Sequence, residues 1–305
     1  MLMSGCRIEF GEYVISGRVT SSNPAEVIEG VKIKYERNYD KEKPVYPYSD
    51  GRWTLWVNEG DHLRIWAEKD KNYIFGPAFY EFTVKGDRRN TDFRVIGWMD
   101  DFSNINSGWV RDFEKDYVPA AEYEVRVSYP YSIRVTAPLS VQKSYTVEAT
   151  MYTQAGSGMY GLIFNAGNLG VGEFYYIFRV HPYEGYAEFL KAVKTPEETQ
   201  TTTVGSKTNW EIDPDNTTIS SIIPNRLEVV QNAYFVKLFV NGVEVFYDYV
   251  DLQPGNHVKV GLYACPDDDS SHTVRFDDFR LTAMGFNPSP ISNAPGFEKS
   301  IEISK

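Results

Sequence analysis

The sequence predicts an all-β chain made of two domains. Short runs that alternate between apolar and polar residues are separated by turns rich in Gly, Asn, Asp and Pro about every eight to twelve residues, as is typical of antiparallel sheets. The 305 residues include 22 Tyr and 18 Phe, which suit half-buried pleated surfaces. A single core rarely grows beyond roughly 250 to 300 residues, so this length favours two domains.

Composition and charge exclude several classes of protein. The formal net charge of −11 argues against nucleic acid or an anionic membrane as the main partner, because both require clustered Lys and Arg. The only cysteines, Cys6 and Cys265, do not suffice for a disulfide framework or a thiolate metal site. No apolar run reaches about 18 residues, the length that a transmembrane helix requires. An acidic globular protein, suited to the outside of the cell or to cation binding, fits these observations.

Residues 1–12 form a segment of their own, which begins MLMSGC. Its Ser-Gly-Cys ending resembles the lipobox of bacterial lipoproteins, although Met3 replaces the usual Leu and no basic or long apolar region precedes it. The resemblance implies lipidation of Cys6 and a location at the cell surface or outside the cell. The alternative is a flexible start with a chance cysteine, and a stop codon directly upstream of Met1 would favour that alternative.

Residues 13–97 predict a small β-sandwich. Alternating runs are YVISGRV (13–19), VKIKYER (31–37), DGRWTLWV (50–57), DHLRIWAEK (61–69), NYIFGPAFYEFTV (72–84) and TDFRVIG (91–97). Strand spacing puts Trp53 and Trp56 on opposite faces, so at least one of them is expected in the core. Four features follow one another here: ISGRV, the Gly30–Ile33 strand start, Asp50-Gly51 and Asp92-Phe93. In that order they resemble carboxypeptidase regulatory-like modules. That resemblance implies an immunoglobulin- or prealbumin-like sandwich that acts as a spacer or platform.

Residues 98–285 predict a larger two-sheet domain. The stretch 144–193 reads as a meander of strands in one antiparallel sheet, and further runs are 122–128, 131–137, 225–232, 234–250, 257–265 and 273–284. Asn241-Gly242 is a strong hairpin signal, because this dipeptide readily adopts the positive φ angles of a tight two-residue turn. So many strands exceed an immunoglobulin-type sandwich and fit a two-sheet jelly roll. The residues that follow, 286–305, include several prolines and predict an extended tail.

Eight motifs in this second domain follow one another in the order that a known family shows. They are DDFSN…SGW, YTVEA, GMYGLIFN, YYIFRVHPYEGYAEF, NRLEVV, KLFVNGVEV, VGLYA and VRFDDFRL. In that order they resemble a concanavalin A-like lectin/glucanase domain of the small bacterial surface variety. The resemblance implies a curved jelly roll whose concave sheet holds glycans in many relatives.

Because that family includes glucanases, WEIDPD (210–215) is the candidate for a catalytic strand. Retaining enzymes place two carboxyl groups about 5 to 5.5 Å apart, and this family delivers them by a Glu-x-Asp-x-Glu pattern on one strand face. Here the third acid is Asp215, and Pro214 removes a ladder donor inside the strand that the pattern requires. The segment is therefore predicted to be a loop, and no catalytic residue is assigned.

Paired acids suggest a structural calcium site. Asp100-Asp101 opens the second domain and Asp277-Asp278 lies in its last strand, and the terminal strands of jelly rolls commonly lie side by side. Calcium takes six to eight oxygen ligands from such groups, so Asn104 is included in the predicted site. The alternative is that these acids cap turns, with Arg275 or Arg280 as partner. The acidic loop 267–269 is a second cation candidate, for which a solvated turn is the alternative.

A polar and aromatic face is predicted for the strand FYYIFRVH (174–181). Alternation places Phe174, Tyr176, Phe178 and Val180 toward the core, and leaves the other face to bind ligand. Sugar binding requires aromatic planes that stack on the ring and polar groups that bond to hydroxyls, and this face offers both. The predicted site consists of Asn165, Tyr175, Arg179, Tyr186, Glu188 and, at its rim, Trp210. Cross-strand pairs on an exposed sheet are the alternative.

Together these features predict a non-catalytic exported surface protein that binds glycan through its jelly-roll domain. The expected partner is a glycan or another cell-surface component, not nucleic acid, and the membrane is reached only through the lipid anchor. One alternative is a glycoside hydrolase that uses acids such as Glu188 and Asp213. Another is a structural subunit that self-assembles through exposed strand edges and the tail.

The calcium hypothesis predicts that EDTA lowers the melting temperature of the purified protein and that added calcium restores it. The physical reason is that carboxylates brought together around the ion repel one another once it is removed. A melting curve that EDTA leaves unchanged would contradict the hypothesis.

Overall fold

The chain is all-β in the computed structural model, which describes residues 12–21, 29–69, 72–141, 143–168, 172–195, 198–214, 218–251, 258–267, 269–283, 289–290 and 300–301. Cys6, Asp268 and most of the predicted tail lie outside these residues. The chain divides into two compact units, unit 1 up to Gly97 and unit 2 from Trp98. No helix in the described ranges is long and apolar enough to cross a membrane.

Unit 1 consists of short strands. Its strands are β1 (Tyr13–Thr20), β2 (Lys32–Arg37), β3 (Asp40–Lys41), β4 (Arg52–Val57), β5 (His62–Glu68), β6 (Tyr73–Gly76), β7 (Tyr80–Thr83) and β8 (Phe93–Asp100), the last of which continues past Gly97. β1 pairs antiparallel with β4 and parallel with β8, while β5 pairs antiparallel with β2 and β7. The immunoglobulin- or prealbumin-like assignment of this unit stays a prediction.

The core of unit 1 forms around Trp53, which is buried and lies 6.3 Å from the ring of Phe93. Trp56, three residues later, is half-exposed, so the expected split of the two tryptophans is confirmed. Gly17 allows this packing, because a Cβ there would lie 2.0 Å from the carbonyl oxygen of Thr91 and 3.1 Å from the Trp53 ring.

Unit 2 is a sandwich of two antiparallel sheets. Its elements are β9 (Lys115–Val118), β10 (Glu122–Ser128), β11 (Tyr131–Val141), β12 (Ser144–Gly156), β13 (Gly158–Asn168), β14 (Glu173–His181), β15 (Tyr186–Lys194), β16 (Thr199–Thr208), α1 (Asn209–Ile212), β17 (Asn225–Asn232), β18 (Phe235–Val240), β19 (Val243–Tyr249), β20 (Val258–Pro266), β21 (Ser271–Ala283), β22 (Ser289–Pro290) and β23 (Ser300–Ile301). Sheet A has the order β9-β10-β21-β12-β17-β18-β19. Sheet B has the order β11-β20-β13-β14-β15-β16, and β22 and β23 pair with β11.

Side chains from the two sheets meet in one core. The Phe246 ring of β19 lies 6.3 Å from Phe178 and 6.2 Å from Phe189. Tyr160 on β13 accepts a hydrogen bond from the amide of Asn225 on β17, at 2.7 Å. Packed rings and a buried hydrogen bond thus join the two sheets.

The predicted meander is wrong at its first strand. β12 pairs with β17 and β21 in sheet A, whereas β13, β14 and β15 follow one another in sheet B. The chain changes sheets at Gly156 and Gly158, both of which have positive φ. A Cβ at Gly156 would lie 1.8 Å from the Ser271 carbonyl oxygen, so this crossing requires glycine. Alternation within each strand carries no information about such a change.

His272 on β21 predicts a pH dependence of stability. Its Nδ1 lies 3.2 Å from the Cys265 carbonyl oxygen and its Nε2 lies 3.0 Å from the Thr153 hydroxyl, which fits a neutral ring that donates to the first and accepts from the second. Burial, above all, lowers the pKa of His272 from 6.5 to about 4. The unfolded chain therefore takes up this proton at a higher pH than the folded protein.

We expect the free energy of unfolding to fall as the pH is lowered from about 6.5 to about 4, with a contribution from His272 of up to about 3 kcal/mol. The measurement is urea unfolding at several pH values for the wild type and for His272→Gln. Other groups titrate in the same window, so the difference between the two curves is compared. Parallel curves would contradict the assignment.

Candidate functional site

β14, the strand with the predicted ligand face, is buried on both of its faces along most of its length. Tyr175 is 1% exposed, and it packs in a second apolar cluster with Ile163, Ile177, Leu190 and Tyr263. The guanidinium of Arg134 lies 4.4 Å from the centre of the Tyr175 ring. Tyr175 is therefore buried among apolar residues of the neighbouring strands, and its ligand-binding role stays a prediction.

Three of the predicted site residues lie together on sheet B. Arg179 donates from Nε to Glu188 at 2.8 Å and from Nη1 to the Tyr263 hydroxyl at 3.1 Å. Tyr186 stacks on His181 at 5.3 Å, and burial, above all, raises the pKa of Tyr186 to about 12. Arg179 and Glu188 thus form a cross-strand ion pair, as the alternative interpretation expected, but their side chains are only 13% and 17% exposed, so the pair does not lie on an exposed sheet. The ligand-binding role of these residues stays a prediction.

Asn165 and Trp210 do not belong to that group. Asn165 is buried inside the sandwich, where its backbone N–H donates to the Tyr145 hydroxyl of sheet A at 2.9 Å. It has a positive φ of 49° next to a bulge in β13, which turns it out of the expected alternation. Trp210 is strongly exposed on α1, which replaces the predicted loop.

The acids near Trp210 act in local hydrogen bonds. The Glu211 carboxylate accepts from the backbone N–H of Thr208 at 2.7 Å and from the hydroxyl of the same residue at 2.9 Å. These bonds lower the pKa of Glu211, which is opposite to the raised pKa that an acid catalyst requires. Asp213 accepts from the Thr218 hydroxyl at 3.2 Å, and Asp215 lies outside the described residues.

Three of the predicted calcium ligands, Asp100, Asp101 and Asn104, cap turns by accepting from the backbone N–H two residues on. Asp100 is buried and accepts from the Phe102 N–H at 2.8 Å and from the Trp109 indole N–H at 2.9 Å, so each of its oxygens has a partner. Asp101 accepts from Ser103, Asn104 from Asn106, and Asp277 from Asp278. Within the described ranges no group of three or more His, Cys, Asp or Glu side chains is arranged to hold a metal ion. Burial, above all, and the nearby carboxylates of Asp278, Glu122 and Asp101 raise the pKa of Asp277, and calcium binding stays a prediction.

A different site lies at one end of the unit 2 sandwich, where a groove of about 530 Å³ opens between the two sheets. Sheet B contributes residues of β14, β15 and β16, while sheet A contributes β18, the end of β19 and the residues beside them. The lining residues are Tyr176, Lys191, Val204, Tyr234, Phe235, Tyr249, Val250 and Asp251. Four aromatic side chains in so small a groove give it flat apolar walls with few polar groups.

Three aromatic rings form a platform at the groove, which we define as Phe235, Tyr247 and Tyr249. The Phe235 ring lies parallel to Tyr247 at 6.0 Å, with an interplanar angle of 5°, and 4.6 Å from Tyr249. Tyr247 and Tyr249 are 57% and 66% exposed, which is unusual for contiguous aromatic side chains unless they contact a partner. Cross-strand pairing explains their contact, because Phe235 lies opposite Tyr249.

One ion pair lies inside the groove. Lys191 Nζ donates to Asp251 Oδ2 at 2.7 Å, and this hydrogen bond, above all, raises the pKa of Lys191. Asp251 is held through its backbone, since its N–H donates to the Tyr176 hydroxyl at 2.9 Å and its carbonyl accepts from Asn165 Nδ2 at 2.7 Å. Burial, above all, raises the pKa of Tyr176, so its hydroxyl stays protonated at neutral pH.

The groove and platform offer a surface for a sugar ring. Aromatic faces stack on the C–H side of a pyranose, and charged side chains make strong hydrogen bonds to its hydroxyl groups. The sequence contains the platform within YFVKLFVNGVEVFYDYV, but this segment was not predicted as a site. Its aromatic richness was the available signal, whereas Lys191 and Asp251 carry no recognisable spacing.

Comparisons with known proteins do not name a family for this chain. No family model matches it, and no curated protein does. Similar solved structures include a carbohydrate-binding module, CBM66, from Bacillus subtilis, with 14% identity over 61% of this chain and 97% of that chain and a TM-score of 0.41. A Bacillus licheniformis beta-glucanase has 10% identity over 62% and 98%, with a TM-score of 0.44. The catalytic domain of an endo-1,3-beta-glucanase from Thermotoga petrophila has 11% identity over 64% and 98%, with a TM-score of 0.43.

Replacing Tyr145 by Phe tests the buried polar contact behind the groove. The Tyr145 hydroxyl accepts from Asn165 N–H and donates to Gln231 at 2.8 Å, so its removal leaves a buried donor and a buried acceptor unpaired. We expect the free energy of unfolding to fall by about 1–3 kcal/mol in urea. The control is Tyr247→Phe, whose ring is exposed and which is expected to leave stability unchanged. Equal stabilities for the two variants would contradict this account.

Proposed function

We propose that this chain is a glycan-binding surface protein and that the groove of unit 2 is its binding site. The observation that carries the proposal is the exposed platform of Phe235, Tyr247 and Tyr249 beside the Lys191–Asp251 pair. Soluble proteins rarely expose contiguous aromatic residues without a partner, and an aromatic wall with a few polar groups suits a pyranose better than a purely apolar or a phosphate ligand.

The concanavalin A-like assignment of unit 2 belongs to this proposal. Support comes from its two antiparallel sheets with a common core, together with the motif order of the sequence. Attachment through a lipid at Cys6, export and a spacer role for unit 1 extend the same proposal. They rest on the Ser-Gly-Cys ending and the acidic composition.

Binding without catalysis is the preferred form of the proposal. Of the acids named for the hydrolase alternative, Glu188 is paired with Arg179 and Asp213 accepts a hydrogen bond from the Thr218 hydroxyl, so both are engaged within the chain. Release of reducing ends from any glycan that the protein binds would contradict this part and favour the hydrolase alternative. The structural-subunit alternative is favoured by β22 and β23, which add to the edge of β11, and defined oligomers in light scattering without any bound glycan would support it.

The proposal predicts that the purified chain binds one or more glycans on an array and that platform variants lose this binding. We expect Phe235→Ala and Tyr249→Ala each to weaken binding about tenfold or more in calorimetric titration, because truncation removes the stacking surface. Tyr46→Ala, which removes an exposed tyrosine of unit 1, is the matched control and should leave affinity unchanged.

Two further variants separate this site from the one predicted on sheet B. Trp210→Ala and Arg179→Ala are expected to retain binding. Loss of binding in these variants, with retention in Phe235→Ala and Tyr249→Ala, would move the site to the sequence-predicted face. Melting curves confirm that each variant is folded.

A further inference from the structure

The positive and negative side chains in the groove are paired with each other, and this pairing determines which glycans the groove can accept. Of the described residues that line it, Lys191 and Asp251 are the charged ones, and they are paired at 2.7 Å. Beside the platform, Lys237 lies 5.3 Å from the Tyr247 ring, but its ammonium is paired with Glu244 at 2.7 Å. An anionic sugar therefore meets no unpaired cation among these groups, and it must compete with a carboxylate for Lys191.

The Lys191–Asp251 pair keeps hydrogen-bonding capacity for a neutral ligand. The Asp251 side chain is 69% exposed and that of Lys191 is 37% exposed. Asp251 Oδ2 accepts from Lys191 and lies 3.5 Å from the Tyr176 hydroxyl, whereas Oδ1 has no hydrogen-bond partner in the described part of the chain. An ammonium has three donors, so Lys191 retains others after bonding to Asp251.

The backbone of Asp251 is also held in place by buried groups. The backbone N–H of Asp251 donates to the Tyr176 hydroxyl at 2.9 Å, and its carbonyl oxygen accepts from Asn165 Nδ2 at 2.7 Å. Asn165 is in turn held by the Tyr145 hydroxyl in the interior. A site whose polar groups are already ordered loses less conformational entropy on binding.

We infer that the groove selects an uncharged pyranose with two adjacent free hydroxyl groups, one donating to Asp251 Oδ1 and the other accepting from Lys191, while the ring stacks on Tyr249 or Phe235. This inference rests on the proposed glycan binding and adds the class of glycan. Sulfated glycans and glycans rich in uronic acid are rejected, because their charge is repelled by Asp251 and is not matched by a free cation.

The test uses the full chain on an array that contains neutral, sulfated and uronic-acid glycans, followed by titration of the best neutral oligosaccharide. We expect hits among neutral glycans and an affinity that changes less than about twofold between 50 and 500 mM NaCl, since no net ion pair forms with the ligand. Removing a charge-assisted bond should cost about tenfold or more, so Asp251→Asn should weaken the neutral hit by that factor.

The same variant supplies a second readout. Asp251→Asn leaves Lys191 unpaired, so it should bind heparin measurably where the wild type does not. The control is Asp116→Asn, which unpairs Arg111 in an exposed ion pair of unit 2 that does not line the groove. It should change neither result, and melting curves establish that both variants are folded.

The outcomes are distinguishable. Hits confined to anionic glycans, or an Asp251→Asn variant that binds the neutral glycan as the wild type does, would overturn this inference and leave glycan binding intact. Absence of hits in every class would overturn both this inference and the proposed function.

Discussion

The hydrogen bond between the Tyr145 hydroxyl and the Asn165 backbone joins the two sheets of unit 2, and the candidate groove depends on it. Both groups are buried, where an unpaired polar atom is costly, so the contact pins the bulge of β13 to sheet A. From that bulge the Asn165 amide reaches the carbonyl of Asp251. The charged pair at the groove is thus positioned from inside the sandwich.

The central strands β14 and β20 of sheet B are buried on both faces, so the accessible aromatic surface lies away from the middle of that sheet. Tyr175, Ile177 and Tyr263 fill the face of sheet B that the sequence assigned to ligand, and the Arg134 guanidinium lies 4.4 Å from the centre of the Tyr175 ring. The exposed rings lie instead at the edge of sheet A, on β19 and the start of β18. Edge strands leave side chains accessible from more than one direction, which suits stacking against an extended polymer.

The predictions from the sequence succeeded where they depended on short-range chemistry. The Asn241-Gly242 turn has the expected positive φ angles of 51° and 85°, and the strands on either side of it pair directly. Trp53 lies in the core of unit 1 and Trp56 does not, as alternation required. β9 and β16 were not predicted. The Thr-rich run that forms β16 lacks apolar alternation, and it is held by pairing with β15.

The sequence by itself determined that the chain is all-β, where most strands lie and which side chains share a face within one strand, because a period of two is a local property of the backbone. Only the tertiary structure decided which faces meet. A two-residue hairpin in strict register places Phe235 and Tyr247 on opposite faces, but a bulge near Val245 shifts the register by one residue and brings the rings together. The same limit applies to the change of sheet at Gly156 and to the second buried face of β14. Each depends on contacts between residues far apart in the chain, which alternation within a strand does not encode.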